Sequence, residues 1–302
     1  MKAIVDKIKI WTWGIAMCPV RKTAMWHGPE SQKFGEDISD VKTIWYDKKI
    51  REQLFKYFAD YQGEEINSGF RPQYKIINQD TVNDDDINLV VIPGDDTTMF
   101  SSHLDTADRS QMTTNLYSKE EDGDEIIFTD GTTILGADDK SGVTVMLYMM
   151  AHNIPGIYYF FIGEERGGIG SNKLADGYEN HNFLLNINKC ISFDRRKTIS
   201  VITHQMGGRC CSDEFGTALC KAYNKQGLNL SLDNGGIYTD SASFMDIIPE
   251  CTNLSVGYLN EHTGKEQQNM TFLKKLCETS INVDWKSLPV ARKVGFNKEL
   301  MK

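Results

Sequence analysis

Six consecutive apolar residues at 157–162, Ile-Tyr-Tyr-Phe-Phe-Ile, leave no polar face to turn toward water. A strand with one wet side alternates apolar and polar residues. An unbroken run of β-branched and aromatic side chains instead belongs to a strand covered on both faces. Helix and strand patterns alternate around it. Val143, Leu147 and Met150 form one stripe of a helix at 141–152, and further helices are expected at 169–174, 212–224 and 267–282. Strands are expected at 88–93, 97–104, 185–193, 200–203 and 253–256, with a Gly94-Asp95-Asp96 turn between the first two. This order predicts an α/β chain, a single domain with a mixed, mostly parallel central sheet and helices on both faces.

Two segments stand apart from that pattern. A hairpin is expected across 120–135, around the acidic turn EEDGDE, and a helix across 47–61, where Ile50, Leu54, Tyr57 and Phe58 share a face. Residues 1–45 hold Trp11, Trp13, Trp26 and Trp45 without a clean period. They read as an extension packed on or beside the core, which then occupies 46–302.

Composition narrows the partners. The 302 residues carry 33 basic and 42 acidic side chains, a net charge of −9 that argues against nucleic acid or anionic membrane as the main partner. No stretch approaches the roughly 20 apolar residues of a membrane span. The amino-terminal apolar run is broken by Gly14, followed by Pro19 and two basic residues, and lacks a small-x-small cleavage site, so no signal peptide is expected. Seven cysteines without CxxC spacing predict reduced thiols and a cytoplasmic location.

Five short clusters at element ends carry the chemistry. In SSHLDTAD, His103 and Asp105 are two apart on a strand and share a face, so the carboxylate can accept the second ring N–H of a metal-binding imidazole. In LGADDKSG, Asp138 and Asp139 precede a helix and are either N-caps or carboxylates shared between cations. In FFIGEERGGIGS, Glu164 and Glu165 follow the apolar strand. On extended backbone they point to opposite sides, which suits one ligand and one base. Asp194 in ISFDRR is either an ion-paired structural aspartate or a ligand. His262 in SVGYLNEHTGKE lies on a loop after a strand. Together they make an N/O ligand set suited to zinc or a similar divalent ion. Two such ions carry four positive charges against three on Asp138, Glu165 and Asp194, which leaves room for one hydroxide.

In order, SHLDTAD, DGTTILGADDKSG, GEE, the strand-end FD and the late NEHT resemble the di-zinc exopeptidase superfamily, which includes peptidase T, carboxypeptidase G and bacterial leucyl aminopeptidase. The resemblance runs from about Leu89 to Glu266. It implies a zinc-exopeptidase-like α/β/α sandwich and a peptidase acting on small peptides, most simply an aminopeptidase. It implies two divalent ions, zinc with cobalt or manganese as alternatives. His103, Asp138, Glu165, Asp194 and His262 would be the ligands, with Asp138 bridging and Asp105 supporting His103. Glu164 would be the general base for attack by a metal-bridging hydroxide, and the peptide bond after Asp138 would be cis. The chain departs from peptidase T and carboxypeptidase G in one respect. The interval from Asp194 to His262 is too short for their inserted lid domain, so the segment between Asp108 and Leu135 is expected to wall the cleft instead.

Softer candidates for substrate contact are Tyr238 and Asp240, in GGIYTDSASF, and His204 and Arg209 for a substrate carboxylate. Two other readings stay open. One keeps the metals but hydrolyses N-acyl amino acids or cyclises glutaminyl termini; the other is a non-catalytic binding protein on the same fold.

Overall fold

The apolar run becomes β6 (Gly156–Phe161), buried on both faces as its composition requires. The computed structural model describes residues 24–26, 87–92, 94–107, 114–161, 163–177 and 185–294. Within it β6 is an inner strand of a seven-stranded sheet. On one side lies β2 (Ile87–Ile92), antiparallel and at the sheet edge. On the other, β3 (Thr98–His103), β7 (Lys189–Arg195) and β12 (Glu250–Ser255) all run parallel to β6. Then come β8 (Ser200–Ile202), antiparallel to β12, and β11 (Ser231–Asp233), parallel to β8. The sheet is mixed and mostly parallel, as expected.

Alternate side chains of each inner strand enter different core layers. Tyr158 and Phe160 join Phe100, Ile191 and Phe193 against α1 (Ala137–Ala151), α3 (Asp213–Asn224) and α4 (Met270–Ser280). Trp285 stands edge-on to Phe100 at 4.9 Å and closes this layer. Ile157, Tyr159 and Phe161 face the other way, with Met99, Cys190 and Cys251, against α2 (Ile169–Asp176) and the short 3-10 turn Asp240–Phe244. Each large apolar side chain so buried contributes about 1.5–3 kcal/mol, which is why both faces must be covered. The six described cysteines are free thiols and all buried. Among the described residues no helix is long and apolar enough to cross a membrane.

A second sheet has five strands in the order β1 (Ala24–Trp26), β4 (Thr114–Glu121), β5 (Asp124–Thr129), β14 (Gln267–Asn269) and β13 (Tyr258–Leu259). The hairpin β4–β5 turns at Asp122 and Gly123, φ 53° and 84°, the two left-handed residues that a tight hairpin prefers. A small antiparallel pair, β9 (His204–Gln205) and β10 (Gly208–Arg209), projects after β8.

Two expectations shift, and one cannot be compared. The helix expected at 267–282 begins only at Met270, capped by Asn269 Oδ1, which accepts the Phe272 N–H at 2.8 Å. Its first three residues, Gln-Gln-Asn, have no apolar stripe to bury and instead pair with residues 126–128 of β5. The strand expected at 185–193 starts at Lys189, because the N–H groups of Asn188 and Lys189 both turn to the Thr97 carbonyl. The helix expected at 47–61 and nearly all of the 1–45 extension lie outside the described residues.

Gly142 marks the closest approach of α1 to β7: a Cβ there would fall 1.8 Å from the Phe193 carbonyl oxygen. Gly142→Ala is expected to cost about 1–3 kcal/mol or more, the range for overpacked cores. Urea unfolding followed by circular dichroism measures it, and an unchanged midpoint would show that the helix can shift freely.

Candidate metal centre

Because β3, β6 and β7 run parallel, their carboxyl ends open on one edge of the sheet, the usual place for a ligand in an open α/β fold. Register then selects the side chains. Ser101 pairs with Ser192, so two residues onward His103 stands beside Asp194 on the same face. His103 in turn pairs with Phe161, which delivers Gly163, Glu164 and Glu165 just beyond it. Gly163, at φ 86°, lets the chain leave β6 and fold into the 3-10 turn Glu164–Arg166. The two glutamates therefore sit on a turn, not on extended backbone, and both carboxylates face the same group of residues. Gly168 completes the bend. A Cβ there would lie 1.6 Å from Tyr238 Oη, so only glycine fits.

Two sets of donors share one carboxylate. His103 Nε2 lies 3.0 Å from Asp138 Oδ1 and 3.6 Å from Asp194 Oδ1. His262 Nε2 lies 3.1 Å from Asp138 Oδ2 and 2.9 Å from Glu165 Oε1. Each Asp138 oxygen thus faces a different imidazole. The ligands of one tetrahedral zinc ion, bonded at about 2.0–2.1 Å, stand on the order of 3.3 Å from one another, so both sets have the right spacing and chemistry. Ligand atoms of His103, Asp138 and Glu165 lie within 4.8 Å of one another, as do those of His103, Asp139 and Asp194, and either group could hold a metal ion. Asp139, however, is already engaged. Its Oδ1 caps the helix by accepting the Gly142 N–H at 3.0 Å, and its Oδ2 accepts the His103 N–H at 3.2 Å. The cap is therefore Asp139 alone. Asp138, with φ −83° and ψ 104°, leaves the helix and turns to the histidines, and the peptide bond between the two is cis.

Surrounding groups hold these side chains in place. Asp194 Oδ2 accepts the Thr239 hydroxyl at 2.5 Å and Oδ1 accepts the Tyr258 hydroxyl at 3.1 Å. Arg195 and Arg196 pair with Asp233 and Glu261, so the charged group nearest Asp194 is His103, at 3.6 Å, and not either following arginine. Burial, with the Asp138 charge, pushes Asp194 up to about 6 against the pull of His103 and Thr239. Lys140 is fully buried among Asp105, Asp139, Asp138 and Glu165, and its Nζ donates to the Leu104 carbonyl. Burial lowers it to about 8.

Asp105 supports His103 by a different route from the one expected. The imidazole Nδ1 lies 2.9 Å from the Asp105 backbone carbonyl and 3.7 Å from its carboxylate. That carboxylate accepts the N–H groups of Gly163 at 2.7 Å and of Glu164 and Glu165 at 3.3 Å, fixing the turn that carries both glutamates. Burial raises Asp105, but the adjacent His103, the Gly163 N–H and the Lys140 charge outweigh it and hold the carboxyl at about 2.

The substrate candidates divide. Tyr238 Oη is shared with Ser171 at 3.2 Å and Ser243 at 3.0 Å, bracing the glycine-rich turn, so its hydroxyl is not turned to a substrate. Asp240 is 1% exposed, and neither oxygen has a hydrogen-bond partner among the described residues. Burial pushes it up to about 7, with Asp194 and Asp105 adding to the rise and His103 opposing it. His204 and Arg209 face each other across β9 and β10, and their hydrogen bonds and ion pairs go to Thr203, Cys211 and Asp213. They are not brought to the cluster. Residues 131–134, together with Ala107, His262 and Gly264, line a cavity of about 270 Å³ beside His262, so the segment after the hairpin does wall this side.

Several supporting residues carried no signal of their own in the sequence. Thr239 sits one residue before the singled-out Asp240. Tyr258 lies in the SVGYLNEHT run and Lys140 in GADDK. Glu266, 1% exposed, accepts the Gly136 N–H at 2.6 Å and the Asp138 N–H at 3.0 Å.

No family model matches the sequence, and no curated protein matches it. Solved structures do match in fold. Aminopeptidase PepT from Bacillus cereus superposes with a TM-score of 0.54 at 18% identity, over 75% of this chain and 91% of that one. The TET1 peptidase of Pyrococcus horikoshii gives 0.51 at 14% identity, over 75% and 93%. The LapA aminopeptidase of Legionella pneumophila gives 0.56 at 15% identity, over 92% and 68%. At these identities the likeness is one of fold: an α/β sheet with helices packed on it, as in zinc exopeptidases.

Before a metal binds, the surrounding carboxylates favour the charged form of both imidazoles. Burial opposes the charge on His103, but Asp194, Asp105 and Asp138 hold it well above its usual range. Hydrogen bonds to Asp138 and Glu165 bring His262 to about 11. A metal needs neutral imidazole nitrogen, so binding must expel protons and weaken as pH falls. Calorimetric zinc titration in buffers of different ionisation enthalpy should show release of on the order of one to two protons per chain near neutral pH. Binding with no proton release would contradict the charged pairs.

Proposed function

We propose that this chain is a metal-dependent exopeptidase, an aminopeptidase or small-peptide peptidase that binds two divalent ions, zinc first among them. The observation that carries the reading is the division of Asp138 between two donor sets, each completed by one histidine and one further carboxylate. His103 and Asp194 would hold one ion, and Glu165 and His262 the other. Bound there, the ions supply Lewis-acid polarisation of the scissile carbonyl and acidify the attacking water.

Glu164 has the proton-carrying role. It belongs to neither donor set, yet its Oε2 lies 3.8 Å from His103 Nε2, at the mouth of the cluster. Burial first, then the charges of Asp194, Asp240 and Asp138, push it up to about 9 in the metal-free chain. Divalent cations among those carboxylates would offset the charges and return Glu164 to the range of a base. Asp105 keeps the glutamates apart in task by gripping the turn beneath them. The cavity beside His262 would receive a residue of the peptide next to the scissile bond.

A substrate panel on zinc-reconstituted protein tests the reading. Hydrolysis of aminoacyl anilides supports it. Exclusive turnover of N-acetyl amino acids or cyclisation of glutaminyl peptides moves the chemistry elsewhere on the same metals, and binding without turnover points to a non-catalytic protein. Glu164→Gln is expected to retain both ions by elemental analysis and to lose about 10²–10⁴-fold in kcat, the usual contribution of a positioned acid–base. Parental turnover in that variant would remove Glu164 from the mechanism.

A further inference from the structure

Glu266 takes no part in either donor set, yet it ties the two together. Three residues separate it from His262, while its hydrogen-bond partners, Gly136 and Asp138, lie more than a hundred residues back in the chain. Both of its oxygens are used, one on the Gly136 N–H at 2.6 Å and one on the Asp138 N–H at 3.0 Å. These N–H groups lie at the start of α1, where helical carbonyls cannot reach them. The two N–H groups diverge, and each meets one oxygen of the carboxyl group. Two residues onward and on the same face, Gln268 Oε1 accepts the Ser141 hydroxyl at 2.6 Å. β14 is itself held in register on β5, and Gly264 is so close to Gly131 that a Cβ would stand 2.1 Å from its carbonyl oxygen. The segment from His262 to Gln268 is therefore fastened along the entry to α1, and Glu266 is the fastening nearest Asp138.

Resting on the two-metal reading above, we infer that Glu266 is a positioning residue that sets the separation of Asp138 and His262, and so the affinity of the metal position His262 completes. His103 and Asp194 are brought together on the adjacent strands β3 and β7 and held by Asp139, Thr239 and Tyr258, none of which depends on Glu266. His262 needs a clasp, because it sits half-exposed on a loop in the left-handed region, φ 63°. Loss of Glu266 is expected to act on one ion and spare the other.

Zinc titration of the full chain against a competing chelator, with zinc alone as the probe, tests this. The parent should bind two equivalents. In Glu266→Ala one of the two should weaken by about 10–100-fold, the range for residues that orient metal ligands, and the other should change little. Glu266→Gln should fall between, since one of the two acceptor oxygens becomes an NH2 donor that faces a backbone N–H instead of accepting it. Aminoacyl anilide turnover lost at stoichiometric zinc should return in excess zinc, with KM near the parental value. Two parental zinc affinities in both variants would overturn the inference while leaving the metal reading intact. Equal weakening of both positions with a lower metal-free melting temperature, unrelieved by excess zinc, would also overturn it, as that is the mark of a general structural role. A parent chain that takes up no zinc overturns the metal reading itself and the inference with it. If the alanine variant does not fold, the glutamine variant decides alone.

Discussion

Burying charge is the constraint on which the rest of this structure depends. Asp105, Asp138, Asp139, Asp194, Asp240 and Glu266 are all buried at one end of an apolar sheet, where an unpaired carboxylate is costly. Most of them are met by fixed donors: N–H groups for Asp105, Asp139 and Glu266, and hydroxyls of Thr239 and Tyr258 for Asp194. Positive charge is scarcer. It comes from Lys140 and, in the metal-free chain, from two imidazolium rings against Asp138. A cluster neutralised in this way is prepared to exchange protons for metal ions, because each histidine nitrogen that now meets a carboxylate is also a ligand atom.

Division of labour follows from how each group is placed. Register in the parallel sheet brings His103 and Asp194 to one strand end, and side chains fix them there, Asp139 accepting the His103 N–H and Asn253 Oδ1 the Asp194 N–H. Glu164 and Glu165 depend on a glycine-started turn gripped by Asp105. Asp138 and His262 come from two loops that meet only because the five-stranded sheet holds β13 and β14 beside the hairpin β4–β5. That small sheet carries the loop of His262, and the residues after its hairpin, 131–134, form a wall of the adjoining cavity.

The folds of aminopeptidase PepT, the TET1 peptidase and the LapA aminopeptidase lie close to this one despite identities of 18% or less. Fold alone does not carry function, which lives in the site. Here the site offers two convergent groups of possible ligand atoms, His103 with Asp138 and Glu165, and His103 with Asp139 and Asp194. His204 and Arg209 mark the limit of reading candidates from residue type. Both are plausible binders of a carboxylate, and both sit on a small hairpin, His204 Nδ1 against Thr203 and Arg209 Nη1 against Asp213.

The sequence by itself determined the layering and the site's inventory. An unbroken apolar run at 157–162 can only be a strand covered on both faces, and carboxylates and histidines at the ends of such strands fall on one edge of a parallel sheet. Local pattern also located α1, α3 and the acidic hairpin turn, because helical stripes and left-handed turn residues are properties of neighbours in the chain. Only the tertiary structure decided which aspartate caps and which one faces the histidines. Asp138 and Asp139 are adjacent and chemically identical, and the choice depends on His103, His262 and Gly142, which no local rule brings together. It likewise decided that Gln267–Asn269 is a strand, since the edge of β5 offers those residues backbone partners that their own side chains do not reveal. Glu266 was invisible for the same reason: its partners are backbone N–H groups, which every sequence possesses and which become specific only when the chain brings them within 3 Å.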